Sequence, residues 1–90
     1  MKQYEIRWAN LPSPVGRRPV LLLSRSAAYA YLNKVIVGEI TSAVRGIPEE
    51  VAIGEPEGLR QPSVVNLDNV HVIATARVGE RLGALAPGRS

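Results

Sequence analysis

Two adjacent arginines, Arg17 and Arg18, stand directly before Pro19 and the apolar run Val20 to Leu23. The proline ring excludes the helical region for the residue ahead of it, so Arg18 is held extended. Pro19 lacks an amide donor and is expected to be the first residue of a buried strand. Arg18 then marks the point where a loop meets rigid structure. Its guanidinium fork matches two phosphate oxygens at once and keeps its charge near neutrality. A surface pair that merely keeps the chain soluble is the plainer alternative, and composition alone favours it. A second polar cluster, Thr41, Ser42 and Arg45, closes the segment KVIVGEITS. Hydroxyls at a strand end satisfy turn amides, and they also donate to phosphoryl oxygens. A third cluster, Asn66, Asp68 and Asn69, interrupts an apolar stretch where polar groups are costly unless paired. Amides there either read base edges or form a tight turn.

Other chemistries are excluded by residue type. There are no cysteines, which removes disulfides, thiolate catalysis and Cys-ligated zinc. His71 is the single histidine, so a two-histidine ribonuclease mechanism is not available. Its alternation with Val70 and Val72 reads as a half-buried strand position rather than a catalytic one. GIPEEVAIGEPEG matches no phosphate-binding glycine loop. The pairs Glu49–Glu50 and Glu55–Glu57, set among glycines and prolines, read as solvated loop charges, and neither a metal nor a cofactor is expected. Four aromatics without a phenylalanine are too few for an RNA-binding sheet of the RRM type.

The elements that must position these residues read mainly as short strands. YEIRWANL alternates Tyr4, Ile6 and Trp8 with Glu5 and Arg7, the pattern of a strand with one buried face. LPSPVGRR reads as a loop and PVLLLS as a strand covered on both faces. Ser26 caps a brief helix over AAYAYLN that Asn33 ends. KVIVGEITS is a third strand with a bulge marked by Gly38. EEVAI is a short edge strand, SVVNLDNVHVI one or two strands, ATARVGERLGAL a helical turn with a last strand, and PGRS a frayed tail. The expected fold is mainly β (α+β), a small, partly open antiparallel barrel with one or two short helices.

Ninety residues support one modest core. No apolar run approaches the ~20 residues that cross a bilayer, and MKQYEIRW is no signal peptide, so the cytoplasm is expected. The net charge of +3 is unevenly placed. Residues 1–48 hold seven Lys/Arg against two Glu, whereas residues 49–90 hold four Arg against six acids. A basic half suits a polyanionic partner.

RRPVLLLSR, EITSAVRGIPEEV and PSVVNLDNV, with the EIRWANLP start and the RVGERLGAL close, together resemble the MazF/PemK-type toxins, over about residues 4–86. That resemblance implies an SH3-like barrel, a homodimer, and a metal-independent, sequence-specific endoribonuclease of a toxin–antitoxin pair. Single-stranded mRNA is cut by its own 2′-hydroxyl, leaving a 2′,3′-cyclic phosphate and a 5′-hydroxyl. The family's catalytic arginine falls on Arg18 and its catalytic threonine on Thr41. Asn69 matches, more loosely, an RNA-holding position, and Arg17, Ser42 and Arg45 are expected RNA contacts beside it. The proton acceptor for the 2′-hydroxyl is left open between Glu39 and a water. The implied partner is an antitoxin whose acidic, disordered tail covers the basic groove.

The sequence departs from the family in a short LPSPVGRR loop and in ending at PGRS. Residues 1–90 are therefore expected to form a single toxin domain without the family's C-terminal helix. Two alternatives share the fold: an inactive RNA-binding module, and a protein-targeting toxin of the CcdB type. The latter relatives act through C-terminal helix residues.

Overall fold

The computed structural model describes residues 1–85. Six strands make one antiparallel sheet among these residues: β1 (Glu5–Leu11), β2 (Gly16–Leu22), β3 (Lys34–Thr41), β4 (Glu50–Ile53), β5 (Ser63–Ala74) and β6 (Val78–Ala84). Their order is β4-β5-β3-β2-β1-β6. The sheet is not closed by hydrogen bonds. Its edges are instead brought together by the 3₁₀ turn Glu55–Glu57, which leaves β4 and packs on β6. This is the partly open barrel expected. The tail read as frayed, 87–90, lies outside the described residues, and no helix among them is long and apolar enough to cross a membrane.

Each face of the sheet carries a packed cluster, which is why Val20, Leu21 and Leu22 of β2 are apolar and buried without a break. On one face Ala9, Leu11, Val20, Leu22, Val35, Val37 and Ile73 form a cluster, covered by Val15, Tyr29 and Val78. On the other, Ile6, Leu21, Ile40, Ile53, Val65 and Leu85 form a second. The simple alternation expected of β1 therefore fails. Glu5 is buried, whereas Trp8 is only half-buried. Burial of Glu5 works because its carboxylate is enclosed by donors. The Lys2 N–H (2.9 Å), Arg7 Nε (3.1 Å) and Arg81 Nε (3.0 Å) all donate to it. Burial pushes this carboxyl up, but the Lys2 amide and then the two guanidinium groups outweigh it, holding Glu5 below its ordinary value.

Three further expectations are corrected. Gly16, Arg17 and Arg18 belong to β2, paired with Leu11, Asn10 and Ala9, so the loop is shorter and Pro19 is the strand's fourth residue. Ser26 is the first residue of a 3₁₀ turn, Ser26–Ala30, and its hydroxyl accepts from the Gln3 N–H (2.9 Å) instead of capping. Glu50 and Glu57 are not solvated. Glu57 is 1% exposed and accepts from the Gly54 N–H at 2.7 Å. The Glu50 carboxylate accepts from the N–H groups of Arg45 (3.1 Å) and Gly46 (2.8 Å).

SVVNLDNVHVI is one strand with a bulge. The β3–β5 register jumps from Gly38↔Val70 to Glu39↔Asn66, so Leu67, Asp68 and Asn69 are looped out. Asn66 Oδ1 accepts from the Asp68 N–H (2.9 Å) and stabilises the bulge. Gly38 sits at the jump, where a Cβ would lie 3.0 Å from Val65 Cγ1.

Candidate functional site

Pro19 creates the site by ending a ladder. The Leu23 N–H donates to Ile36 O on β3 at 2.9 Å. By strand alternation the missing N–H of Pro19 faces β3 as well. The β2–β3 pairing accordingly stops at Val20↔Glu39. Extending that register by two residues sets Arg18 opposite Thr41, beyond the last paired residues. The open end of the ladder becomes the head of a groove of about 650 Å³.

Trp8, Arg17, Pro19 and Ile40 line this groove from one face of the sheet, together with Leu59 and with Leu82 of the neighbouring strand β6. Arg18 and Thr41 reach it at the open end, next to Ser42. Its far wall is the segment Gly58 to Gln61, while Ser63 lines it next to Val64, the β5 partner of Thr41. That wall is fixed by close backbone approach to β6. A Cβ on Gly58 would come 2.2 Å from Leu82 O, and one on Gly83 would come 1.9 Å from Glu57 O.

Arg18 is oriented by charge. Its Nη1 donates to Glu39 Oε1 at 2.6 Å, and the other oxygen of Glu39 lies 3.1 Å from His71 Nε2. An ionised carboxylate accepts there only when Nε2 carries the proton. All three side chains share one face, since Val20 pairs Glu39 and Val37 pairs His71. Glu39 is 8% exposed and is not among the described groove-lining residues. One nitrogen of the Arg18 fork is thus committed to the protein, and the side chain stays one-third exposed at the groove. His71 is half-buried in its strand, as its alternation predicts.

Thr41 Oγ1 accepts from the Ala43 N–H at 3.1 Å. The turn role is therefore filled by an oxygen lone pair, and the hydroxyl proton remains for donation. Arg17 turns to the other face and lays its guanidinium over the Trp8 ring, with Cζ 4.4 Å from the centroid.

Of the residues singled out in the sequence, the groove gathers Arg17, Arg18, Thr41 and Ser42. Arg45 and Asn69 fall outside its described lining. The Arg45 side chain approaches Glu50, at 3.8 Å, and Asn69 rides on the exposed β5 bulge. Trp8, Arg60 and Gln61 were not legible as site residues. Trp8 reads as core from its period, and the other two sit in a Pro/Gly-rich loop without a motif. Among the described residues no group of three His, Asp or Glu is placed to hold a metal ion.

Residues 2–89 match the family model described as PemK-like, MazF-like toxin of type II toxin–antitoxin system. The chain is 43% identical over 68 residues to Endoribonuclease MazF3 of Mycobacterium tuberculosis, a match covering 76% of this chain and 66% of that protein. The chain thus spans about two thirds of the length of that relative. It superposes on the Mycobacterium tuberculosis toxin MazF-mt6 with a TM-score of 0.89 at 38% identity, covering 94% of this chain and 83% of the other. An endoribonuclease from a mycobacterial species, solved in complex with its cognate antitoxin, gives a TM-score of 0.84 at 25% identity, covering 99% and 82%.

Proposed function

Because the chain belongs to the PemK-like, MazF-like toxin family of type II toxin–antitoxin systems, we propose that it is a sequence-specific endoribonuclease acting on single-stranded mRNA in the cytoplasm without a metal. The observation that carries this reading is that Arg18 and Thr41 line one groove at the open end of β2 and β3.

The groove serves phosphoryl chemistry in the following way. The ribose 2′-oxygen attacks the adjacent phosphorus and loses its proton. The bond from phosphorus to the 5′-oxygen breaks, and that oxygen takes up a proton. The products carry a 2′,3′-cyclic phosphate and a 5′-hydroxyl. The Arg18 guanidinium offsets the charge that gathers on the non-bridging oxygens of the crowded phosphorus. The Thr41 hydroxyl donates to an oxygen of the same group. Glu39 is occupied by Arg18 and His71, so water is the better acceptor for the 2′-hydroxyl proton. Arg17 and Ser42 flank the phosphate site and hold the strand. Deoxyribose lacks the nucleophile, so DNA survives.

A second copy of the chain and a cognate antitoxin are the partners we assign. Ile36, Leu67, Val70 and Val72 are exposed along β3 and β5, an apolar strip that a homodimer removes from water. The basic groove suits an acidic, disordered antitoxin tail.

The test is incubation of the protein with mixed-sequence single-stranded RNA in excess EDTA, beside Arg18→Ala and a matched DNA. The expected result is discrete fragments ending in cyclic phosphate, reduced on the order of 100-fold or more in the variant and absent from the DNA. Intact RNA from folded parent protein would overturn the proposal.

A further inference from the structure

Trp8 is the chain's single tryptophan, and among the described residues it belongs to neither buried cluster. The largest side chain of a small protein is normally spent on the core, where its area contributes most. Here it stands half-buried in the groove wall, on the face opposite the Arg18–Glu39 ion pair. Its ring carries the Arg17 guanidinium. Arg17 is itself exposed and, among the described residues, has no carboxylate within ion-pair distance.

We infer that Trp8 and Arg17 form a stacking platform for one unpaired base of the RNA, beside the phosphate site of Arg18 and Thr41. The inference rests on the ribonuclease reading for its substrate class. Unpaired bases stack on aromatic rings and on arginine planes alike, and here the two kinds of surface lie together, with Arg17 Cζ 4.4 Å from the Trp8 ring centroid. Arg17 and Arg18 are consecutive in β2 and point to opposite faces. One therefore meets a base while its neighbour meets a phosphate. Leu59 and Leu82, which also line the groove, supply apolar surface against which a flat base loses water. Stacking tolerates any base, so the platform contributes affinity and register rather than the choice of sequence.

The single tryptophan makes the platform directly observable. The full chain is titrated with a labelled, mixed-sequence 2′-O-methyl RNA, which lacks the nucleophile and is not cut. An abasic phosphodiester of the same length is titrated in parallel. Anisotropy of the label reports binding and Trp8 emission reports stacking. The expected result is saturable quenching by the base-bearing strand and none by the abasic one. Trp8→Leu should bind on the order of 10-fold more weakly, and Trp8→Tyr should restore most of the loss. Binding without any change in Trp8 emission overturns the inference, as does equal affinity for the abasic strand or for Trp8→Leu. Absence of binding overturns both the inference and the ribonuclease reading. Cleavage of ordinary RNA with silent Trp8 emission overturns the platform alone. Quenching by ordinary RNA that stays intact overturns the ribonuclease reading and leaves the platform standing.

Discussion

Arg18 and Glu39 are joined across β2 and β3 by a 2.6 Å ion pair, and Glu39 keeps its second oxygen on His71. A long arginine side chain at a groove edge samples many rotamers unless something holds it. The buried carboxylate supplies that hold, and catalysis by a fixed charge is sensitive to small misplacement. Glu39→Gln keeps an oxygen acceptor but removes the charge. Its turnover in single-turnover RNA cleavage is expected to fall about 10- to 100-fold, with little change in the RNA concentration for half-saturation. Were Glu39 only a structural residue, the variant would lose stability and keep its cleavage rate per folded molecule.

Thr41 separates two roles that one hydroxyl performs together. Its oxygen accepts from the Ala43 amide, a structural role, which leaves its proton for the donation to phosphate proposed above. Thr41→Val keeps shape and loses both, whereas Thr41→Ser keeps both. The valine variant should lose roughly 100-fold in cleavage and only about 1 kcal/mol in stability. The serine variant should stay within about tenfold of the parent. A serine variant as inactive as the valine one would mean that the methyl group, not the hydroxyl, is what the site requires.

The strands and their order along the chain were legible because apolar runs, prolines and turn residues are local signals. PVLLLS announced a strand with two covered faces, and EEVAI an edge strand. What escaped was set by contacts between distant parts. Glu5 reads as an outward strand residue, yet Arg81 arrives from β6 to make its burial tolerable. Glu57 reads as a solvated loop acid, yet the loop is folded back on β6 and the carboxylate satisfies the Gly54 amide. Arg17 and Arg18 were legible as paired charge at the mouth of an apolar strand, and Thr41 and Ser42 as hydroxyls at a strand end. Their convergence was not legible, because it depends on where Pro19 ends the ladder. Trp8 escaped for a related reason. Period-2 alternation locates a face, but not whether that face is core or groove.

Acid should weaken the fold through two carboxylates. Burial raises Glu50, but the N–H groups of Arg45, Gly46 and Ile47, followed by the Arg45 guanidinium, overcome that and hold it below its ordinary value of 4.5. Glu5 is lowered from the same value by its own enclosure of donors. A group whose folded value is depressed stabilises the protein above its unfolded value. That contribution is lost as the pH falls from there through the folded value. The midpoint of urea unfolding should therefore be level from neutrality down to about pH 5 and drop below 4.5. Glu50→Gln should start from a lower midpoint at pH 7 and show a shallower acid drop. Parallel curves for parent and variant would show that Glu50 carries none of the dependence.

The groove's far wall should depend on Gly83, a residue outside its lining. A Cβ there would lie 1.9 Å from Glu57 O, and this obstacle is backbone, which has no rotamer to change. Gly83 is not in the left-handed region, so an alanine meets the clash alone, without conformational strain. Either β6 or the segment from Glu57 onward must move, and the latter carries Leu59, Arg60 and Gln61 into the groove. Gly83→Ala should lower stability by about 1–3 kcal/mol and weaken RNA binding well beyond the fraction of protein unfolded. Gly79→Ala is the matched control on the same strand, because a Cβ there meets Trp8 O at 3.6 Å and Trp8 Cβ at 3.9 Å, both ordinary van der Waals contacts that require no movement. Thermal unfolding and RNA binding measured on both variants distinguish the two effects. If Gly83→Ala unfolds at the parent temperature and binds RNA as the parent does, the loop is not anchored at Gly83 and the far wall is positioned by something else.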